Sequence, residues 1–246
     1  MGKARLDDLL VERGFCADRE EALRCVIAGE VLVDDVVASS AAMPVSEDSE
    51  VRFKGAKRFV SRGGDKLQAA IDAFGIDVEG ARCVDVGSST GGFTDCLLQA
   101  GASHVACVDV NYGQLAWKVR SDPRVSVFER TNIKGADPAS LGAPFDIVVI
   151  DVSFIGLAQL APVLAGLCRQ GTQLLALVKP QFESQRGETV SGVVVDEEVR
   201  LRTVSEVENA LRENDFDVRG FVESPVKGPA GNIEYLIDAS YVDHML

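Results

Sequence analysis

The sequence CVDVGSSTGGFTDCLL, residues 83–98, decides the fold of this chain. Residues 83–86 form a short, mostly apolar run typical of a buried strand, and a loop of small residues leads directly into an amphipathic helix. Glycine and serine permit a sharp turn, so backbone N–H groups at the helix start can face a polar ligand. The pattern predicts the strand–loop–helix opening of a nucleotide-type binding domain, although small residues at this spacing also serve tight packing.

Alternation of strands and helices continues beyond this segment. A second strand closes on Asp109, and an acid about 20 residues beyond such a loop is placed to hold ribose hydroxyls. The pattern predicts a parallel sheet wrapped by helices. Its predicted strands are 83–86, 105–109, 125–129, 147–150 and 172–178, and its predicted helices are 92–100, 114–119 and 157–168. A helix from residue 196, with Leu201, Val204, Val207 and Leu211 on its apolar face, and two last strands, 217–222 and 235–237, complete the domain.

Residues 3–60 form a smaller predicted module in which two helices precede short strands. Leucines at positions 6, 9 and 10 mark the first helix, and Gly29 ends the second, which runs from residue 19 to residue 28. We expect the second helix to bury four apolar residues: Ala22, Leu23, Val26 and Ile27.

Charge is distributed unevenly along the chain. The net charge of −13 argues against indiscriminate binding to nucleic acid. Residues 51–66, however, carry six basic side chains and one acidic side chain. Cations beside Phe59 suit RNA phosphates and bases, although the stretch also fits a solvated linker. Lys66 falls in the first turn of a core-facing helix, where a cation opposes the helix dipole, which indicates a role elsewhere.

Composition narrows the remaining possibilities. There is no N-terminal apolar run and no uncharged apolar stretch of about 18 residues or more, so we expect a cytoplasmic protein that does not enter a membrane. The six cysteines include no CxxC pair, and only two histidines are present. We therefore expect reduced thiols and no metal site. The sequence contains no signal for oligomeric state.

Three charged residues lie at predicted strand ends. Strand 147–150 ends at Asp151, the next predicted strand, which finishes at residue 178, ends at Lys179, and Glu234 opens the last strand. In open α/β sheets, ligands lie outside the carboxyl ends of the strands, so Asp151 and Lys179 are expected to share a crevice with the Gly87 loop. Each charge alone also fits a solvated strand terminus.

Six segments together resemble the FtsJ-like ribose methyltransferases, and more closely the TlyA family, which is named for hemolysins and includes ribosomal RNA 2′-O-methyltransferases. In chain order they are Ser61–Leu67, Asp85–Thr94, Gly113–Leu115, Asp151–Ile155, Lys179–Glu183 and Ser224–Tyr235. The late hairpin is also typical of methyltransferases that use S-adenosylmethionine. Residues 4–14 and 19–33 resemble the alpha-L RNA-binding motif, with Asp34-Asp35 in place of its usual Asn/Asp-Gly turn.

The resemblance implies an α/β fold: a Rossmann-like class I methyltransferase over residues 61–246, with a small α+β RNA-binding domain over residues 1–60. It further implies S-adenosylmethionine-dependent 2′-O-methylation of ribosomal RNA, at a cytidine of 16S or 23S rRNA or both, with ribosomal subunits as partners. Two alternatives remain at this point: a membrane-lytic protein, as the older family name suggests, and a non-catalytic RNA-binding protein of ribosome assembly.

The family's catalytic tetrad falls on Lys66, Asp151, Lys179 and Glu234. Lys179 is the candidate base for the ribose 2′-hydroxyl, since desolvation beside the cation of Lys66 would favour its neutral form. Alternatively, Lys179 stays charged and stabilises the developing alkoxide while water takes the proton. In either case the carboxylates orient the amines.

The resemblance also implies the binding residues. Those for the cofactor are Asp85, Gly87, Ser88, Thr90, Gly91, Gly92, Phe93, Asp109, Asn132 and Asp151. Those for RNA are Lys3, Arg5, Arg19 and Arg24, to which the basic residues of the junction between the domains add Lys57, Arg58 and Arg62. Ser153-Phe154 could position the target nucleoside by stacking, but Phe154 equally fits a core position after a strand.

Overall fold

The computed structural model of the chain describes residues 2–53, 58–228 and 230–243. Its contacts divide the chain into two compact units, Met1–Lys57 and Arg58–Leu246. The division falls before residue 60, the last residue of the predicted first domain, because Phe59 is buried in the core of the second unit. Lys57, one of the predicted RNA-binding residues, lies outside the described residues.

The first unit combines two helices with short strands. The helices are α1 (Leu6–Glu12) and α2 (Arg19–Ile27), and the strands are β1 (Lys3–Arg5), β2 (Val31–Val33), β3 (Val36–Val37), β4 (Pro44–Ser46) and β5 (Val51–Phe53). β1 pairs with β4, and β2 lies between β3 and β5. Asp34 and Asp35 turn the chain between β2 and β3 with φ of 48° and 67°, the left-handed backbone that a two-residue hairpin loop requires.

Helix α2 buries fewer residues than the sequence predicted. Ala22 and Val26 are buried, but Leu23 and Ile27 are exposed, so the prediction was wrong for these two. Residues four apart lie on one line of a helix, while the next residue along is turned about 100° away. The core of this unit, which includes Leu6 and Leu10 of α1, accommodates only the line formed by Ala22 and Val26.

The second unit is built on a seven-stranded sheet with the order β11-β12-β10-β9-β6-β7-β8. Its strands are β6 (Arg82–Val86), β7 (His104–Val108), β8 (Val125–Phe128), β9 (Ile147–Ile150), β10 (Gln173–Val178), β11 (Phe216–Glu223) and β12 (Tyr235–Tyr241). The first five are parallel, and β12 runs antiparallel to both of its neighbours. The predicted parallel sheet with a late hairpin is confirmed.

Both faces of this sheet are covered. The helices are α3 (Arg62–Phe74), α4 (Gly92–Gln99), α5 (Trp117–Arg120), α6 (Pro138–Leu141), α7 (Ala161–Ala165), α8 (Pro180–Glu183) and α9 (Glu197–Arg212). Strand β9 is fully buried, with Val148 and Ile150 in one apolar layer and Ile147 and Val149 in the other. Such two-sided burial explains its continuous apolar sequence.

Three helical predictions need correction. The predicted helix 157–168 divides into a 3₁₀ helix, Leu157–Leu160, and α7, because Pro162 in the first turn of α7 favours a helix start. The predicted helix 114–119 begins only at Trp117. Leu201 of α9 is exposed, whereas Val204, Val207 and Leu211 are buried as predicted.

Among the described residues, no helix is both long and apolar enough to cross a membrane. The same part of the chain contains no group of three or more His, Cys, Asp or Glu side chains arranged to hold a metal ion.

Candidate active site

Two adjoining cavities, of about 480 and 390 Å³, open at the carboxyl ends of the parallel strands. Both are lined by Gly87, Ser89, Asp151, Ser153 and Phe154, so they are compartments of one crevice. The crevice lies where β6 has β7 on one side and β9 on the other, which is the switch point at which open α/β sheets bind ligands.

The loop after β6 is held in a conformation that requires glycine. Gly87 has a φ of 86°, and a Cβ atom there would lie 2.3 Å from the backbone oxygen of Asp151. Gly91, with a φ of 90°, ends the loop against Leu115. The loop therefore passes close beneath the end of β9, and side chains are excluded from the contact.

Asp109 organises the same loop from the end of β7. Its two carboxylate oxygens accept hydrogen bonds from the backbone N–H groups of Ser89 and Asn111, each at 2.7 Å. Asp109 and Asn132 both line the smaller compartment. Because a carboxylate oxygen can accept more than one hydrogen bond, Asp109 retains capacity for a ligand's hydroxyl groups.

Asp85, within β6, is fully buried and lines the larger compartment. Its Oδ2 atom accepts hydrogen bonds from the N–H and hydroxyl groups of Thr94, at 3.0 and 2.6 Å. Its Oδ1 atom has no hydrogen-bond partner among the described residues. Burial raises the pKa of Asp85 to about 7. A buried acceptor without a partner marks a position where a ligand donor would be stabilised.

The predicted catalytic residues form two ion pairs in the larger compartment. Lys66, from α3, pairs with Glu234, which precedes β12, and both side chains are buried. Lys179, directly after β10, pairs with Asp151, directly after β9. The Nζ atom of Lys179 also lies 3.1 Å from the hydroxyl of Ser153. Each ammonium group thus has its own carboxylate, and all four residues line one cavity.

Phe154 lies at the boundary of the two compartments. Its side chain is 91% exposed and its backbone has a φ of 67°. Its ring contacts that of Phe182, with 5.4 Å between the centroids. The interpretation of Phe154 as a core residue is therefore wrong, and a strained, exposed aromatic residue beside a cavity indicates a binding role.

Most of the other predicted cofactor residues lie around the same crevice. Ser88, Thr90, Gly92 and Phe93 line the larger compartment. Gly91 lines neither compartment, because it faces Leu115 behind the loop.

The residues that line the larger compartment without a role predicted from the sequence include Gln181, Phe182 and Gly192. The first two follow Lys179 so closely that their position in the chain could have indicated them, whereas Gly192 carries no comparable signal.

The predicted RNA-binding arginines of the first unit are exposed and paired with acids. Arg5 pairs with Asp7, Arg19 with Asp8, and Arg24 with Glu20. Lys3 is also exposed. The Arg19–Asp8 and Arg24–Glu20 pairs join exposed side chains and are worth about 0–1 kcal/mol, so phosphate groups can compete with these two acids, whereas Asp7 is buried. In the second unit, Arg58 stacks on Phe59 and exposed Arg62 lines the larger compartment.

Comparison with known proteins identifies both parts of the chain. Residues 59–241 match the FtsJ-like methyltransferase family, and residues 4–51 match the S4 domain. The chain is 44% identical to the 16S/23S rRNA (cytidine-2′-O)-methyltransferase TlyA of Mycobacterium tuberculosis, over 96% of this chain and 89% of that protein. This chain belongs to the TlyA family.

Two further TlyA-like proteins agree with this assignment. Hemolysin A of Brachyspira hyodysenteriae is 36% identical over 94% of this chain and 98% of that protein. A solved structure of a hemolysin-named protein from Streptococcus thermophilus superposes with a TM-score of 0.74 at 38% identity, covering 99% of this chain and 90% of the other. The resemblance found in the sequence is confirmed, including the RNA-binding type of the first domain.

As an FtsJ-like member of the TlyA family, the chain is a methyltransferase whose cofactor is S-adenosylmethionine. The crevice fits this molecule. The free Oδ1 atom of Asp85 suits the ammonium group of the methionine part, and Asp109 in the adjoining compartment suits the ribose hydroxyls. The glycine at position 87 keeps the loop clear of side chains where the compartments meet.

Proposed function

We propose that the chain methylates the ribose 2′-hydroxyl of a cytidine in ribosomal RNA, as the names of its TlyA relatives state for those proteins. The observation that carries this proposal is the placement of Lys179. Its ammonium group is held by Asp151 and Ser153, two residues that line both compartments of the crevice. A hydroxyl group bound in the larger compartment would therefore meet a fixed donor next to the cofactor.

S-adenosylmethionine supplies an electrophilic methyl group when bound. The chain must then aim the 2′-oxygen and stabilise the charge that develops on it as the O–H bond breaks. The Asp151 carboxylate and the Ser153 hydroxyl hold the Lys179 ammonium in one orientation, so that it can donate a hydrogen bond to this oxygen. Water takes the proton. Lys66, fixed by Glu234, adds a second positive charge in the same cavity.

Substrate recognition is divided between the two domains in this proposal. The S4 domain presents Lys3, Arg5, Arg19 and Arg24 to RNA phosphates, and Arg62 extends the contacts to the mouth of the larger compartment. The exposed ring of Phe154 stacks on the base of the target nucleotide.

The experiment uses methyl-labelled S-adenosylmethionine with purified small subunits, large subunits and naked ribosomal RNA, followed by mapping of 2′-O-methyl positions. We expect label at a discrete cytidine. Lys179→Ala should lower kcat by about 100-fold or more, as for removal of an oxyanion donor, while cofactor affinity stays within several-fold. Full activity of this variant would refute the proposed mechanism.

Lys179→Arg separates the two roles that sequence alone leaves open for Lys179. An arginine keeps its positive charge at every working pH, so it can stabilise an alkoxide but cannot act as a base. We expect Lys179→Arg to be clearly more active than Lys179→Ala. Equal inactivity of the two variants would instead favour the base mechanism. Absence of cofactor binding in the unmodified protein would favour a non-catalytic RNA-binding protein.

A further inference from the structure

Glu183 connects two loops of the crevice that follow different strands. It is the last residue of α8, the short helix that begins after Lys179. Its Oε1 atom accepts a hydrogen bond from the backbone N–H of Leu157, at the start of the 3₁₀ helix after β9. Gly156, which precedes that helix, has no side chain to cap it. The first N–H groups of a helix lack acceptors within that helix. Glu183 therefore supplies an acceptor for Leu157 from the neighbouring loop.

Gly156 admits the Glu183 carboxylate. Its φ of −69° is accessible to any residue, so the backbone does not require glycine at this position. A Cβ atom on residue 156 would, however, lie 2.7 Å from the Oε2 atom of Glu183 and 3.3 Å from the backbone oxygen of Phe182. The glycine thus serves the close approach between the two loops.

The two connected loops supply the reacting part of the site. The loop after β9 carries Asp151, Ser153 and Phe154, and the loop after β10 begins with Lys179. The ladder between these parallel strands pairs Ala176 with Ile150 as its last register position. Beyond that point, backbone pairing no longer fixes one loop against the other, and side-chain contacts must do so.

The position of Glu183 is unfavourable for its charged carboxylate form. Burial raises the pKa of its carboxyl group, which shows that the surroundings disfavour the charged form. A partly buried carboxylate with no cation among its described hydrogen-bond partners contributes little to stability by itself. Its position between two catalytic loops gives a better reason for its presence.

We propose that Glu183 is a positioning residue for methyl transfer: by holding the Leu157 N–H, it keeps the Asp151–Phe154 loop in register with Lys179. The proposal rests on the function proposed above. Glu183 is not required to touch either substrate. It sets the geometry in which the Lys179 ammonium meets both Asp151 and Ser153, and in which the rings of Phe154 and Phe182 meet.

The test compares Glu183→Ala, Glu183→Gln and the control Glu208→Ala. Glu208 is another partly buried glutamate of this domain, and it pairs with Arg212 on α9. We expect Glu183→Ala to lower kcat by about 100-fold, as expected for a misplacement of about 1 Å, with the KM for S-adenosylmethionine unchanged. Glu183→Gln keeps an acceptor oxygen and should recover activity to within several-fold of the unmodified enzyme. Glu208→Ala should behave as the unmodified enzyme.

Gly156→Ala approaches the same contact from the other side. Its methyl group should displace the Glu183 carboxylate and lower kcat, again at unchanged cofactor KM. If the two residues act through one contact, the double variant with Glu183→Ala should be no worse than the more impaired single variant. Additive losses would overturn the proposal, as would a fully active Glu183→Ala or a Glu183→Gln no better than it.

Hydrogen exchange of the protein without RNA makes the test independent of the reaction. We expect faster exchange at Leu157 and Ala158 in Glu183→Ala than in Glu208→Ala, with α3 unchanged in both. If no ribosomal RNA is methylated by the unmodified chain, the proposed function fails while this measurement still decides the positioning role. Equal protection at Leu157 in both variants would overturn it.

Discussion

Lys66 and Glu234 form a buried ion pair although 168 positions separate them in the sequence. The pair joins α3, at the start of the methyltransferase domain, to the loop that opens β12 near its end. Closing the domain in this way places a positive charge in the larger compartment without leaving it unpaired.

Removal of one partner of this ion pair should lower the stability of the fold, because the other partner is left buried without an opposite charge. We expect Glu234→Gln to lower the free energy of unfolding by about 3 kcal/mol, since it leaves the Lys66 ammonium buried without a carboxylate. The double variant Lys66→Met/Glu234→Leu should recover most of that stability but no methyl transfer. Urea denaturation with activity assays checks both. Equal stability of Glu234→Gln and the unmodified protein would show that the pair is not buried in solution.

Phe154 should contribute to RNA binding and not to folding. Loss of base stacking costs about 1–3 kcal/mol, so Phe154→Ala should raise the KM for RNA by at least about fivefold. Its melting temperature and cofactor affinity should not change, because the ring is exposed. Phe154→Tyr should retain binding. Phe221→Ala, which removes a partly exposed ring from β11, is the control. An unchanged KM for RNA in Phe154→Ala would exclude the stacking role.

Cofactor affinity should follow the ionisation of Asp85. With a pKa of about 7, this carboxyl is mostly protonated at pH 6 and mostly ionised at pH 8. Only the ionised form offers Oδ1 to an ammonium group without competition from a proton. Calorimetric titration should therefore show binding of S-adenosylmethionine about tenfold tighter at pH 8 than at pH 6. Asp85→Asn should bind weakly at both pH values. Affinity of the unmodified protein that does not vary over this range would contradict the assignment.

The same group gives stability a defined pH dependence. Because the pKa of Asp85 is higher in the folded protein than in the unfolded chain, its contribution is fully present below the unfolded pKa. That contribution is lost as the pH rises through about 7. Asp85→Asn should remove this loss. Denaturation of both proteins without cofactor, between pH 5 and pH 8, measures the difference.

Arg19 and Asp8 should affect RNA binding in opposite directions. Arg19 pairs with Asp8 on the exposed surface of the S4 domain, so a phosphate group must compete with that acid. Arg19→Ala should weaken binding and lower the salt slope by about one. Asp8→Asn frees the guanidinium and should strengthen binding. Anisotropy titrations at several salt concentrations distinguish the two, with Arg212→Ala as a control. Weaker binding by Asp8→Asn would contradict this interpretation.

Local sequence was enough to predict the framework of the methyltransferase domain. The apolar run at 147–150 specifies a strand buried on both faces, and the small residues after Val86 specify the turn that follows. Since parallel strands end at one edge, Asp151 and Lys179 could be expected in a common crevice, as found.

Contacts between distant parts of the chain could not be predicted in this way. Nothing near Glu183 in sequence indicates that it caps a helix after another strand, and nothing near Leu23 shows that the first domain has no room for it. Both depend on which surfaces meet in the folded chain. The sequence suggested a role for Lys66 beyond its own helix, but only the fold identifies Glu234 as its partner.

The burial of Phe59 bears on how the two domains could be exchanged between relatives. A Cβ atom on Gly64 would lie 2.2 Å from Phe59, and Asp95 of α4 accepts a hydrogen bond from the Val60 N–H, so residues 59 and 60 pack closely against α3 and α4. A chimera joined after residue 60 would place another protein's side chain at position 59, where it must pack against Gly64 of α3. A chimera joined immediately before Arg58 would keep Phe59 together with Gly64, and we expect this chimera to fold.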